Sequence, residues 1–244
     1  MNRRHFLLNL QTAAVAGCAF NLVHGAAAQE LRPVVPQPPR IRISQGEETP
    51  VALQALAIDV EVSGSRALTT VEMTFYNPNR RVLEGELQFP LLDGQQVVGF
   101  ALDIDGKLRD AVPVDKATGQ QVFEDVIRTR IDPALLEVTQ GNNYKLRVYP
   151  LPPQGTRRVL LRYAETLAVE GALRRYRLPL DYAKELKSFQ LRVTVRSPEA
   201  APKAGAASPQ GLSFQAKGID YEAEISRKDY RSEEHTSELQ SRFG

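Results

Sequence analysis

The residues best suited to catalysis or metal binding stand near the two ends of the sequence. The histidines are His5, His24 and His235, and the single cysteine is Cys18. Residues 29–230 therefore contain neither type, which excludes histidine-assisted nucleophilic catalysis, Cys/His zinc sites and thiol chemistry for that part of the chain. Residues 29–230 also contain no glycine-rich phosphate loop.

One group of carboxylates could suggest calcium. Asp103, Asp105 and Asp110 are close in sequence, but basic residues stand where an EF-hand loop needs oxygen ligands. The Asp105-Gly106 pair instead predicts the tight turn of a β-hairpin.

A second group could supply a general acid and base. It comprises Glu124, Asp125, Asp132 and Glu137. We interpret these side chains as solvated charges of a helix and a turn, so the sequence predicts no catalytic, cofactor-binding or metal-binding residue. The alternative is a fragment of a secreted carboxylate-dependent hydrolase or a carbohydrate-binding protein.

Basic residues give no strong sign of a ligand. Arg157, Arg158 and Arg162 are interpreted as the basic edge of a strand, which protects a sheet from aggregation. The formal net charge of the chain is +2, which gives no electrostatic reason to expect nucleic acid as a partner.

Residues 1–28 have the pattern of an export signal. A basic start with Arg3-Arg4 is followed by an apolar middle and by small residues up to Ala28. The signal is either of the twin-arginine type or an ordinary secretory one, and a lipid on Cys18 is an alternative that would attach the chain to a membrane. The expected location is periplasmic, in the cell envelope or extracellular.

The elements that must position these residues are mostly strands. Residues 29–47 are proline-rich and predict an extended linker. From residue 51 onward, apolar residues alternate with polar ones, as Leu56, Ile58 and Val60 do, which predicts half-buried strands. Residues 115–131 have helical spacing and predict one helix that ends before Pro133.

Several motifs together resemble the vault protein inter-alpha-trypsin (VIT) domain. They are Phe89-Pro90-Leu91, Phe123-Glu124, Asp132 to Glu137, Asn143-Tyr144 and Tyr163. The resemblance covers residues 48–168 and implies an antiparallel β-sandwich that serves protein interaction or adhesion without enzyme activity. Residues 169–230 are then an accessory β region.

The last residues have an unusual composition. Residues 231–241 read as the translation of a common sequencing adapter, so we interpret residues 231–244 as an artefact. The resemblance implies that the intact protein continues into a von Willebrand factor A domain with an Asp-x-Ser-x-Ser site for a divalent metal. That motif does not occur in the present sequence.

Overall fold

The computed structural model describes residues 40–43, 49–110, 134–138, 143–170, 173–180, 185–198, 200–205, 208–231 and 238–243. All of them belong to one compact unit, Val35–Gly244. The regular elements of these residues are strands: β1 (Arg40–Ile43), β2 (Ala52–Ser63), β3 (Arg66–Tyr76), β4 (Leu83–Pro90), β5 (Gln96–Ile104), β6 (Lys107–Asp110), β7 (Ala134–Val138), β8 (Asn143–Leu151), β9 (Thr156–Thr166), β10 (Ala168–Glu170), β11 (Leu173–Pro179), β12 (Glu185–Arg196), β13 (Lys203–Ala204), β14 (Gln215–Lys217), β15 (Asp220–Arg231) and β16 (Glu238–Phe243).

The largest sheet has eight strands in the order β14-β15-β12-β2-β3-β9-β5-β6. Apolar and polar residues alternate along its strands. Because successive side chains of a strand point to opposite sides, one type lies on each face of the sheet. On β2, Leu56, Ile58 and Val60 are buried while Asp59 and Glu61 are exposed. One face therefore carries the core and the other carries charge.

Two smaller sheets complete the fold. Their orders are β1-β4-β8-β7 and β10-β11-β16-β13. Leu87 and Val148 of the first and Tyr176 and Leu178 of the second join the same buried hydrophobic cluster as the inner face of the large sheet. The mainly β prediction is confirmed, and residues 40–43 of the predicted linker form a strand.

The one-helix part of the prediction is not borne out. The described residues contain no helix, and residues 115–131 lie outside them. Within the described residues, the structure also contains no helix with the length and apolarity needed to cross a membrane.

The second half of the chain extends the large sheet. Strand β12 pairs in parallel with β2, from Ser188 opposite Ala55 to Arg196 opposite Ser63, and it pairs antiparallel with β15 on its other side. Residues 169–230, predicted as an accessory region, thus contribute three strands to the sheet that β2 and β3 begin.

Hydroxyl groups connect a small sheet to the large one. The side-chain oxygens of Thr69 on β3 and Tyr176 on β11 lie 2.8 Å apart in the interior. Tyr163 is completely buried beside this pair, and burial raises its pKa well above the ordinary value. Because a buried hydroxyl needs a partner, this contact favours one placement of β11 over the sheet.

Glu165 lies near the end of β9, where it is half-buried. Gln95 donates a hydrogen bond from its Nε2 to Glu165 Oε1 at 2.8 Å, and Gln95 Oε1 accepts one from the Leu92 amide at 2.9 Å. Burial raises the pKa of Glu165 above its ordinary value of 4.5, against the opposing effect of the Gln95 hydrogen bond. The folded state therefore binds the Glu165 proton more tightly than the unfolded state does.

We expect this difference to make stability fall as pH rises from about 4.5 through the raised pKa, because the folded state must release a proton that it favours. In Glu165→Gln this contribution disappears, so the free energy of unfolding should depend less steeply on pH in that window. Urea unfolding of both proteins at several pH values measures it. Parallel stability curves would contradict the assignment.

Candidate interaction surface

A corner between two loops lies within residues 48–168, the range that resembles the VIT domain. Asn77 is 1% exposed, and its Nδ2 donates to the carbonyl oxygens of Arg81, Leu151 and Pro152 at 2.9–3.1 Å. Its Oδ1 accepts hydrogen bonds from the backbone amide and the side chain of Asn79, both at 3.0 Å. Asn77 thus joins the end of β3 to the proline-rich turn after β8.

The other side of this corner is closed by Gly155 and Arg157. The Asn77 amide donates to the Gly155 carbonyl at 2.9 Å, and a Cβ at position 155 would lie 2.9 Å from Pro152 Cγ. The buried Arg157 guanidinium donates to the carbonyl oxygens of Pro150 and Asp103. Asn77, Gly155 and Arg157 are therefore engaged in internal structure.

The structure corrects the interpretation of the arginines as a strand edge. Strand β9 lies between β3 and β5 in the middle of the sheet, so it has no edge to protect. Arg158 instead bonds Asp103 at 3.0 Å and contacts Glu72 at 3.4 Å, and Arg162 contacts Asp110 at 3.3 Å. The spacing alone did not reveal that β5 would pair along this side of β9.

The hairpin prediction for the aspartate group is confirmed. Strands β5 and β6 pair antiparallel, and Asp105 and Gly106 have φ of 51° and 78° at the turn between them. Asp103 and Asp110 form ion pairs with the β9 arginines. Glycine suits the second turn position because it adopts positive φ without strain.

The other carboxylate candidates are not brought together by any described contact. Glu124, Asp125 and Asp132 lie outside the described residues, as do Cys18 and the histidines. Glu137 lies on β7 in register with Lys145 of β8. Across the residues that the structure describes, no group of three or more His, Cys, Asp or Glu residues could hold a metal ion.

The outer face of the large sheet carries a dense set of charges, which we call the charged face. Cross-strand pairing aligns Glu224 of β15 with Arg192 of β12 and then with Asp59 of β2, while Thr194 is aligned between Glu222 and Glu61. The set consists of Asp59, Glu61, Arg192, Arg196, Lys217, Asp220, Glu222 and Glu224, and most of these residues line one shallow depression.

Each cation of the charged face contacts carboxylates on neighbouring strands. Arg192 lies 3.3–3.7 Å from the carboxylate oxygens of Asp59, Glu222 and Glu224. Arg196 is closer to its partners, at 2.9 Å from Glu61 and 2.8 Å from Asp220. Lys217 adds a contact of 2.5 Å to Glu222. These pairs link β2, β12, β14 and β15 in one network.

The network sets the protonation of its carboxylates. The Arg196 side chain and the Ser197 amide donate to Asp220 and hold its pKa below the ordinary value. A hydrogen bond from Lys217 likewise holds the pKa of Glu222 below its ordinary value. Burial raises the pKa of Asp59, and this effect exceeds the opposing effect of the Arg192 charge. The charged face therefore keeps both signs of charge near neutral pH.

The sequence contained a signal for this surface that motif reasoning did not use. In β12, Arg192 and Arg196 alternate with buried Val193 and Val195, and β15 shows the same alternation at Glu222 and Glu224. That pattern predicts a charged sheet face. It does not say which strands lie side by side.

The comparison with known families identifies the first half of the fold. Residues 53–163 match the family model of the vault protein inter-alpha-trypsin domain. The chain contains a VIT domain. The matched residues contain the corner at Asn77, strands β3 to β8, all of β2 except its first residue, and most of β9. Strands β12, β14 and β15 lie beyond the match.

Two solved structures are similar to this chain at low sequence identity. A candidate nutrient-binding protein from Legionella pneumophila is 13% identical with a TM-score of 0.55, and the match covers 85% of this chain and 70% of that one. An M1 zinc metallopeptidase from Deinococcus radiodurans is 16% identical with a TM-score of 0.45, and the match covers 80% of this chain and 42% of that one. The first shows a likeness in fold alone. No curated protein matches the sequence.

Proposed function

We propose that this VIT-domain protein is an exported, non-enzymatic scaffold that binds a protein partner at the bacterial envelope. The observation that carries the proposal is the VIT match over residues 53–163. The internal roles of Asn77 and Arg157 support it, because these two polar residues of the matched region hydrogen-bond within the fold.

The charged face is the surface that we assign to the partner. It is broad and polar, and its arginines are about half exposed, with side-chain values of 50% for Arg192 and 48% for Arg196. Complementary charges across an interface give specificity and fast association. A partner that meets this face should therefore bind less tightly as the salt concentration rises.

The test removes two cations of the charged face. We expect Arg192→Gln with Arg196→Gln to weaken partner binding at least tenfold. The free energy of unfolding should change little, because exposed ion pairs are screened by water and contribute little to stability. The partner is first captured by cross-linking in the envelope fraction, and its affinity for both proteins is then measured.

A matched control lies on another sheet. Arg147 of β8 lies 2.6 Å from Glu84 of β4, and its side chain is 36% exposed. Arg147→Gln therefore removes a similar ion pair away from the charged face. We expect it to leave binding unchanged. Equal loss in the control, or no loss in the double variant, would refute this assignment of the surface.

Export is supported by the pattern of residues 1–28. We expect the mature protein to begin at or near Gln29. Intact-mass measurement of the protein from the envelope fraction tests this directly. A diacylglyceryl group on Cys18 would show lipoprotein processing instead, and an uncleaved chain in the cytoplasm would refute export.

Amide substitutions separate the scaffold from the hydrolase alternative. In a chain with Glu124→Gln, Asp125→Asn, Asp132→Asn and Glu137→Gln, a scaffold keeps its partner affinity. A hydrolase would show activity on peptide or glycan substrates in the wild-type protein and lose it in this variant. That result would replace the scaffold proposal.

A further inference from the structure

Ile219 is the most exposed large aliphatic residue among those that the structure describes, at 77%. It lies in the two-residue turn between β14 and β15, where Lys217 pairs with Asp220 and Gly218 has a positive φ of 69°. Glycine at the first position of such a turn suits a tight hairpin, but the second position calls for no aliphatic side chain. The fold therefore does not account for an isoleucine at this place.

The residue after Ile219 fixes the turn to the charged face. Asp220 accepts hydrogen bonds from the Arg196 side chain at 2.8 Å and from the Ser197 amide at 2.9 Å. Arg196 also donates to Glu61 on β2 at 2.9 Å. Because the backbone beside Ile219 is already held, burying this side chain against a partner requires little further ordering of the turn.

A second exposed aliphatic side chain lies at the other end of the same row of contacts. Leu68 of β3 pairs directly with Glu61, so both side chains lie on the outer face of the large sheet, and Leu68 is 40% exposed. Between the two aliphatic ends lie Asp220, Arg196 and Glu61. The row crosses the neighbouring strands β15, β12, β2 and β3, and their spacing gives it a length of about 15 Å.

We propose that Ile219 and Leu68 are two apolar anchors of one protein interface. The partner then offers two pockets for aliphatic side chains, about 15 Å apart, with charged groups of both signs between them. This inference rests on the proposed scaffold function and specifies the chemistry of its partner.

Charge complementarity supports a protein as the occupant. The row presents both signs of charge, so a surface with a single sign would meet like charges in it. An anionic lipid surface is a poorer fit, because Asp220 and Glu61 outnumber the one arginine of the row. A protein surface can place a cation and an anion separately.

The first test is the affinity of the captured partner for Ile219→Ala, with Val169→Ala as its control. Val169 is 66% exposed on β10 of another sheet, so both changes remove exposed aliphatic surface. Burial of an aliphatic side chain changes an affinity by about tenfold or more. We expect that loss for Ile219→Ala and none for Val169→Ala, with urea unfolding of both variants close to that of the wild type.

The second anchor has a control of its own. Leu68→Ala is compared with Leu173→Ala, whose leucine is 38% exposed on β11. We expect a smaller loss of affinity for Leu68→Ala than for Ile219→Ala, because less of Leu68 is available to the partner. The losses should multiply in the double variant, since the two anchors are too far apart to touch.

Salt distinguishes the anchors from the charges between them. Between about 0.1 M and about 1 M salt, screening should reduce the effect of Arg192→Gln with Arg196→Gln. The loss in Ile219→Ala should persist at both concentrations, because burial of apolar surface does not depend on charge.

The outcomes separate this inference from the scaffold proposal. Wild-type affinity in Ile219→Ala and Leu68→Ala, with a loss in the arginine double variant, would overturn the anchors alone. A loss in only one alanine variant would overturn the two-anchor arrangement. Wild-type affinity in all these variants, or no protein captured from the envelope fraction, would refute the surface and the anchors together. Binding to phosphatidylglycerol vesicles that Ile219→Ala abolishes would replace the protein partner with a membrane.

Discussion

Replacing Asn77 with alanine should lower the free energy of unfolding by at least about 3 kcal/mol. The substitution removes a side chain that donates to three carbonyl oxygens and accepts two hydrogen bonds at a buried corner. Each buried polar group left without a partner costs about 1–3 kcal/mol, and several are affected together. Urea unfolding followed by circular dichroism measures the loss.

Asn79→Ala provides the comparison. Asn79 also hydrogen-bonds through its side chain, but its two bonds with Thr49 are exposed, so water can replace them. Its third bond, to Asn77 Oδ1, is lost in the variant, yet that oxygen keeps the Asn79 backbone amide as a donor. The loss at Asn79 should therefore be clearly smaller than the loss at Asn77. Equal losses would mean that the corner does not depend on the buried amide.

A chain that ends at residue 168 should lose cooperative unfolding. Truncation there removes β12, whose Leu191 and Val193 are in register with Ile58 and Val60 of β2 and are fully buried. It also removes Tyr176, the partner of Thr69. The remaining sheet would expose the β2 edge and much of its apolar face to water, which favours aggregation.

Point substitutions in β12 measure how much its buried side chains contribute to the free energy of unfolding without deleting the strand. Leu191→Ala should cost about 2–5 kcal/mol, as for other buried leucines. Gln190→Ala, on the exposed face of the same strand, should cost much less. A truncated chain that unfolds cooperatively with the stability of the whole would show that residues 53–163 form an independent VIT domain.

Local patterns predicted the individual strands of this fold well. The alternation around Ile58 and Val71 gave β2 and β3, and Asp105-Gly106 gave the hairpin, because each depends on residues close in sequence. The parallel pairing of β12 with β2 joins residues more than 130 positions apart. Side-chain periodicity does not encode which distant strands become neighbours.

The site was predicted less completely than the fold. The alternation placed Asp59 and Glu61 on a polar face, but their partners Arg192 and Arg196 belong to β12 and could not be assigned before its position was known. Arg157 was misinterpreted for the same reason. Its guanidinium bonds two backbone carbonyls that come together only after β5 and β8 have paired with their neighbours.

The central claim is that one interaction surface is built from both halves of the chain. The most direct measurement is the affinity of the captured partner for two single variants, Glu61→Gln on β2 and Arg196→Gln on β12, which remove opposite ends of one 2.9 Å ion pair. We expect both variants to weaken binding by a similar factor and the Arg147→Gln control to bind the partner with unchanged affinity. Full affinity in both variants would contradict the account, because the partner would then bind elsewhere on the protein.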